Sequence, residues 1–378
     1  MTAIWSFPTR IVFGAGVSSR AGEEAQALGL KRVLIVSDAG VERAGLTGGV
    51  RSALEKAGIA VATYTDVDGN PTEENIEGGA RAYTEQRADG VIAIGGGSPM
   101  DAGKLIALRA VCALPFEELD DAIDGGRHVP ANVPPIIQIP TTAGTGSEVG
   151  RSGVLTVRST QRKTIVFSPR LLARVALLDP ELTRSMPPQV TAATGFDALT
   201  HCIEAYLSKG DHPMADAIAL SGIEIASQFL ERAVKNGGDM EARGMMMKAA
   251  MMGAVAFQKG LGACHSLAHP LSSEHGLHHG LANALCLPSV LRFNATAVPD
   301  RVSRVSILLG GAAAPLACAT AVSDLRARVG LPSGLSAVGI QSSHLAALAD
   351  KAFADACHQC NPRDCTRADL LTLYEASL

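Results

Sequence analysis

Two textures of apolar and polar positions divide the chain. From residue 10 to about 180, short continuous apolar runs alternate with amphipathic stretches. Lys31–Ser37 (KRVLIVS), 59–67 (IAVATYTDV), 90–98 (GVIAIGGGS) and PIIQIP at 135–140 read as buried strands. Residues 10–20 read as a short strand followed by a helix from about Ser19 to Leu28, and helices are expected over 47–57 and 73–88. Asn70-Pro71-Thr72 marks the turn that opens the second of these. The segments GVLTVRS, RKTIVFS and ARVALLDP add further strands between 151 and 180. Strands alternating with helices predict a parallel sheet with helices on both faces.

Beyond Met186 the texture changes. Runs such as TAATGFDALTHCIEAYLS, DAIALSGIEIASQFLERAV and GMMMKAAMMGAVAFQ carry helical periodicity, and strand signals nearly vanish. The expected organisation is an α/β domain over 1–181 and an all-helical domain over 182–378. The methionines of 245–252 read as a core helix.

Composition narrows the function classes. The chain has 378 residues, 47% hydrophobic and 19% charged, with a formal net charge of −4. That balance leaves no basic footprint, so neither nucleic acid nor an anionic membrane is an expected partner. No apolar run is long enough for a membrane span. The start, MTAIWSFPTRIVFGAG, lacks the pattern of a signal peptide, and the eight cysteines form no paired framework. A cytoplasmic protein with reduced thiols is expected. Cys357, Cys360 and Cys365 with His358 are read as a turn before a last helix, in preference to a zinc site.

Candidate chemistry falls in two places. Gly95-Gly96-Gly97-Ser98 ends a strand and opens a helix, where backbone N–H groups face a phosphate. TTAGTGSEV (141–149) is a second loop, with Thr141, Thr142, Thr145 and Ser147 as hydrogen-bonding groups. Asp38 ends an earlier strand, and an acidic residue there favours NAD over NADP. The second place is a crowd of histidines: five of the ten lie between 265 and 279. Asp197 and His201 are four apart and share a helix face, and His265 and His269 repeat the spacing. His279 follows just before a glycine. A carboxylate with imidazoles is a divalent-metal ligand set.

With GGGSPMDAGK, PTTAGTGSEV, GFDALTHCIEAY and HSLAHP…HHGLANA in this order, the chain resembles the iron-containing, group III alcohol dehydrogenases. The resemblance runs from FGAG to the NPR segment near the C-terminus. It implies a Rossmann-like N-terminal domain and a helical C-terminal domain, the architecture shared with dehydroquinate synthase. It implies NAD and a divalent metal, Fe(II) foremost, with Zn(II) or another divalent ion as alternatives. The family's ligands match Asp197, His201, His265 and His279, while His269 matches a histidine that helps proton transfer. The cofactor segments match Asp38, Asn70, Gly96, Gly97, Ser98, Thr141, Thr142, Thr145 and Ser147. Lys163 matches a lysine near the cofactor ribose, and Leu182 is placed toward the nicotinamide. Glu204 is open between orienting a ligating histidine and solvating its helix. His275 and His278 are expected as pocket wall or surface.

The activity so implied is interconversion of a small primary alcohol and its aldehyde by hydride transfer. The wall segment PLSSEHGLH (270–278) and Arg151 depart from what the family leads one to expect. Arg151, Lys259 and His275 form a candidate cationic pocket, and Phe257 a candidate apolar wall. A cationic pocket points to anionic aldehydes such as succinic semialdehyde or a sulfo- or phosphonoaldehyde. Maleylacetate reductase and glycerol dehydrogenase are alternatives within the superfamily, and a non-catalytic metal or nucleotide sensor is an alternative outside it. A homodimer or larger homo-oligomer is expected.

Overall fold

The computed structural model describes residues 7, 9–159 and 163–378. The chain forms two compact units, one of residues 7–142 and 147–185, the other of 143–146 and 186–378.

The first unit contains β1 (Arg10–Phe13), β2 (Arg32–Val36), β3 (Ala60–Tyr64), β4 (Gly90–Gly95), β5 (Ile136–Pro140), β6 (Ser152–Thr156), β7 (Lys163–Phe167) and β8 (Val175–Leu178). Six of these make one sheet in the order β1-β8-β5-β4-β2-β3. Every pairing in it is parallel. Its helices are α1 (Ala21–Ala27), α2 (Ala39–Arg43), α3 (Leu46–Lys56), α4 (Glu73–Glu85) and α5 (Gly97–Arg109). Because strand side chains alternate, each strand feeds two cores. Val33, Ile35, Ile92, Ile94, Ile137 and Ile139 join Ala21, Ala25, Val50 and Leu54 on one face. Leu34, Val36, Val91 and Ile136 join Ile76, Tyr83, Leu105 and Leu108 on the other. The continuous apolar runs of the sequence therefore mark strands covered on both sides.

The strands expected between 151 and 180 divide. β8 is buried throughout and enters the main sheet between β1 and β5. β6 and β7 form a separate antiparallel ribbon. Their alternating burial, with Ile165 exposed, marks a ribbon covered on one face only. The short helix α2 lies where no helix was expected.

The second unit contains α6 (Pro188–Leu207), α7 (Pro213–Lys235), α8 (Met240–Ala256), α9 (Ala263–His275), α10 (His279–Asn294), α11 (Pro299–Leu308), α12 (Ala317–Arg328), α13 (Leu345–Ala354) and α14 (Arg367–Glu375). Among the described residues it holds α- and 3₁₀-helices and no strand. α6 is buried at every position from Thr191 to Leu207, so it is hydrophobic all round except for the polar groups it carries inward. Met246 and Met247 of α8 are core residues. No described helix is long and apolar enough to cross a membrane. All eight cysteines are free, and Cys357–Cys360 form a 3₁₀ turn before α14.

Candidate metal and nucleotide sites

The metal candidates lie within the helical unit. Asp197 and His201 are one turn apart on α6, which presents them from a buried helix. α9 carries His265 and is capped at its C-terminus by Gly276, whose left-handed φ of 64° lets the chain reverse. His279 then opens α10 and faces α6. A close approach makes this possible: a Cβ on Gly280 would lie 2.0 Å from the Ala193 carbonyl oxygen. The ligand atoms of Asp197, His201, His265 and His279 all lie within 4.8 Å of one another. His278 is the exposed residue capping α10 and stands outside this group.

The surroundings prepare these four residues. Glu204, two turns along α6 from Asp197, is buried and lies 2.5 Å from His265 Nδ1. Glu204 therefore orients a candidate ligand and does not solvate its helix. Its Oε1 accepts the Cys264 N–H at 2.7 Å, so its own position is fixed. A proton on His265 Nδ1 leaves the Nε2 lone pair facing the cluster. Burial opposes charging of His265, but the hydrogen bond and charge of Glu204 outweigh it and raise its pKa. Burial pushes His201 down to about 4 and holds His279 well below the usual value, so both are neutral imidazoles. Asp197 is held at about 2: burial alone would raise it, and the three imidazoles and Asn283 reverse the sign.

Asn283 carried no assignment in the sequence. It is fully buried on α10, and its Nδ2 donates to Asp197 Oδ1 at 2.9 Å. The same nitrogen lies 3.4 Å from His265 Nε2 and 3.3 Å from His279 Nε2. The signal was its position four residues after His279, on one helix face. Asp355 also went unassigned. Its Oδ2 is 2.7 Å from His269 Nδ1. Burial would raise the Asp355 pKa, but its bonds to His269 and Ser266 hold it below the ordinary carboxylate range.

The donor set fits a divalent metal. One carboxylate and three imidazoles are borderline ligands suited to Fe(II), Zn(II) or their neighbours. A buried carboxylate needs a compensating charge. Among the described residues, no lysine or arginine pairs with Asp197.

Two candidates for a cationic substrate pocket have other surroundings. Lys259 is buried, and its Nζ donates to the Tyr206 carbonyl at 2.9 Å and pairs with Asp216 at 2.5 Å. Arg301 shares both partners. Lys259 is an internal ion-pair member because the turn after α8 directs it inward. His275 is exposed at the end of α9, its ring 4.8 Å from that of His344, where helical phase carries it off the face of His265. Phe257 does meet the cluster, its ring 5.1 Å from that of His201. Arg151, in the first unit, lies over the Phe167 ring at 5.1 Å.

The nucleotide candidates gather at the carboxyl ends of strands in the first unit. Chain order reverses in the sheet between β2 and β4, the switch point at which open α/β sheets bind ligands. Asp38 follows β2, Gly96–Ser98 follow β4, and Thr141 and Thr142 follow β5. Asp38 Oδ1 caps α2, accepting N–H groups of Gly40 and Val41 at 2.7 and 2.9 Å. Ser98 Oγ donates to the Gly69 carbonyl at 2.6 Å, tying the Asn70 loop to the glycine loop. Gly95 has φ +154°, and a Cβ there would meet Pro99 at 2.6 Å, so the turn into α5 needs glycine.

Three other candidates have structural partners. Ser147 Oγ donates to Asp101 Oδ1 at 2.5 Å and accepts from the buried Lys104 Nζ at 2.8 Å. Lys163 begins β7, and burial lowers its pKa. Leu182 packs against the core around Ala21 and Leu54. Thr145 falls in the 143–146 segment, which belongs to the helical unit.

The family model described as iron-containing alcohol dehydrogenase matches residues 8–180. The C-terminal model of the Fe-containing alcohol dehydrogenase family matches 191–378. The chain belongs to the iron-containing alcohol dehydrogenase family. It is 40% identical over 382 residues to a 4-hydroxybutyrate dehydrogenase of Cupriavidus necator, covering 98% of each chain. It is 34% identical over 379 residues to the NAD-dependent methanol dehydrogenase of Bacillus methanolicus, again covering 98% of each. A 1,3-propanediol oxidoreductase crystal structure matches with TM-score 0.95 and 33% identity, covering 100% of both chains. Like this family, the protein is an NAD-dependent oxidoreductase of alcohols and aldehydes that uses a divalent metal, typically iron.

Proposed function

We propose that Asp197, His201, His265 and His279 hold the metal, and that the enzyme interconverts a small primary alcohol and its aldehyde. The observation that carries this is the convergence of those four ligand atoms within 4.8 Å. When bound, the metal supplies Lewis acidity to the substrate oxygen, while the nicotinamide gives or takes the hydride. The protein's own residues set the conditions. Glu204 fixes the orientation of His265 through its Nδ1, and Asn283 donates to the Asp197 carboxylate. Phe257 offers an apolar wall beside His201. His269 moves the alcohol proton. Asp38, Asn70, Gly96, Gly97, Ser98, Thr141, Thr142 and Thr145 bind NAD. Lys163 lies near the cofactor, and Leu182 and Ser147 act by supporting its loops. The cofactor domain spans 1–181 and the catalytic domain 182–378. The enzyme works in the cytoplasm as a homodimer.

A second reading has a specific support: the 40% identity to a 4-hydroxybutyrate dehydrogenase favours a short aldehyde with a terminal carboxylate. Against it, Lys259 is already paired and His275 lies outside the cluster, which leaves Arg151 as the remaining candidate cation. NADH oxidation should be followed with neutral short aldehydes and with succinic semialdehyde, using Fe(II)- and Zn(II)-loaded protein. A kcat/KM preference for the neutral series supports the first reading, and the reverse preference supports the second. Replacement of His265 or His279 by Ala should abolish metal and turnover while leaving NAD binding intact. Full activity in a metal-free variant would end the proposal.

A further inference from the structure

We propose that Asp355 is a positioning residue that fixes His269 in one tautomer, with its proton on Nδ1 and a bare Nε2. This rests on the reading of His269 as the proton carrier.

The geometry singles out Asp355. Its Oδ2 lies 2.7 Å from His269 Nδ1. Its Oδ1 accepts the Ser266 hydroxyl at 2.7 Å and the Cys357 N–H at 2.9 Å. Ser266 Oγ in turn accepts the His358 N–H at 2.8 Å. The carboxylate is thus clamped from two segments before it meets the imidazole. A carboxylate can only accept, so the shared proton resides on Nδ1. The ring plane is set from the other side, since His269 stacks on His279 with centroids 5.3 Å apart and planes 15° apart. Pro270, inside α9, lacks the N–H that would bond the Ser266 carbonyl one turn back.

Fixing the tautomer has a chemical consequence. A neutral imidazole accepts a proton at only one nitrogen. With Nδ1–H committed to Asp355, Nε2 becomes the accepting atom. Asp355 itself takes no proton. Buried carboxylates that orient a catalytic histidine behave this way in other enzymes.

The first test needs no variant. ¹⁵N-histidine spectra of the zinc-loaded enzyme should show His269 with a protonated Nδ1 and an unprotonated Nε2. The opposite tautomer, or rapid averaging of both, overturns the proposal. The second test is kinetic. Asp355→Asn keeps the shape but offers an amide that can present its N–H₂ to Nδ1. We expect kcat to fall about 10²–10⁴-fold, the range of one acid–base group, with KM, metal content and NAD affinity near wild type. His269→Ala should fall similarly, and the double variant should be no worse than either single one. Losses that multiply in the double variant overturn the coupling. A fully active His269→Ala removes the proton-carrier reading itself, whereas a crippled His269→Ala beside a fully active Asp355→Asn removes only the positioning.

Discussion

Gly280→Ala tests whether helix contact assembles the metal site. Gly280 is the second residue of α10, next to His279. Helix propensity alone favours alanine there, by at most about 1 kcal/mol. Sterics point the other way. The added Cβ would sit 2.0 Å from Ala193 O and 3.0 Å from Asp197 Cβ. Restoring an ordinary contact of at least 3.4 Å needs a displacement of roughly 1.4 Å. A backbone carbonyl in the middle of a buried helix cannot rotate away. Overpacking of this kind costs about 1–3 kcal/mol, so the steric effect wins. Metal ligation tolerates only about 0.2 Å, so a shift of that size uncouples His279 from Asp197. Calorimetry should show the melting temperature falling by several degrees, given roughly 2–4 °C per kcal/mol for a unit of this size. Titration of the apo-protein with Zn(II) should show affinity falling at least as far as when a supporting residue is lost, about 10–100-fold. Wild-type melting together with wild-type metal affinity would refute the reasoning.

Other substitutions probe other parts of the argument. Glu204→Gln should weaken metal binding about 10–100-fold, because the amide no longer holds His265 Nδ1–H as a carboxylate does; equilibrium dialysis measures it. Lys259→Met should leave KM for every aldehyde unchanged while lowering stability by about 1.5–3 kcal/mol, since Asp216 keeps Arg301; a rise in KM for anionic aldehydes alone would restore the cationic wall. Burial raises the buried Glu148 to about 7 from 4.5, partly offset by its own backbone hydrogen bond and by Lys104. Its folded form thus binds the proton more tightly than the unfolded chain. This contribution to stability is complete below about pH 4.5 and is lost as pH rises through 7. That difference corresponds to about 3 kcal/mol. Denaturant unfolding of wild type minus Glu148→Gln between pH 4.5 and 8 should trace that slope, and a flat difference would disprove it.

The sheet was legible because a strand covered on both faces must be apolar at every position. Leu34 and Ile35 feed opposite cores, so KRVLIVS carries no polar gap. The ribbon was half legible. Its strands show in the sequence, but nothing local says that β7 pairs with β6 while β8, eight residues later, inserts beside β5. α2 escaped notice because it is five residues long and rests on one cap, Asp38, which also carried a cofactor assignment.

Periodicity also explains which site residues could be read. Asp197, His201 and Glu204 share one face of α6, and His279 and Asn283 one face of α10, so a repeat near 3.6 displays them. Asp355 lies 86 residues from His269, and no periodicity joins them. Lys259 is hard to read for a related reason. A sequence counts a lysine as a charge, but only the fold shows whether that charge is already spent on a neighbour such as Asp216. Residues aligned on one helix are thus announced by spacing, while those that orient or neutralise them arrive from other segments. Substrate discrimination is better sought by perturbing side chains of the assembled site, such as Phe257 beside His201, than by counting charges along PLSSEHGLH.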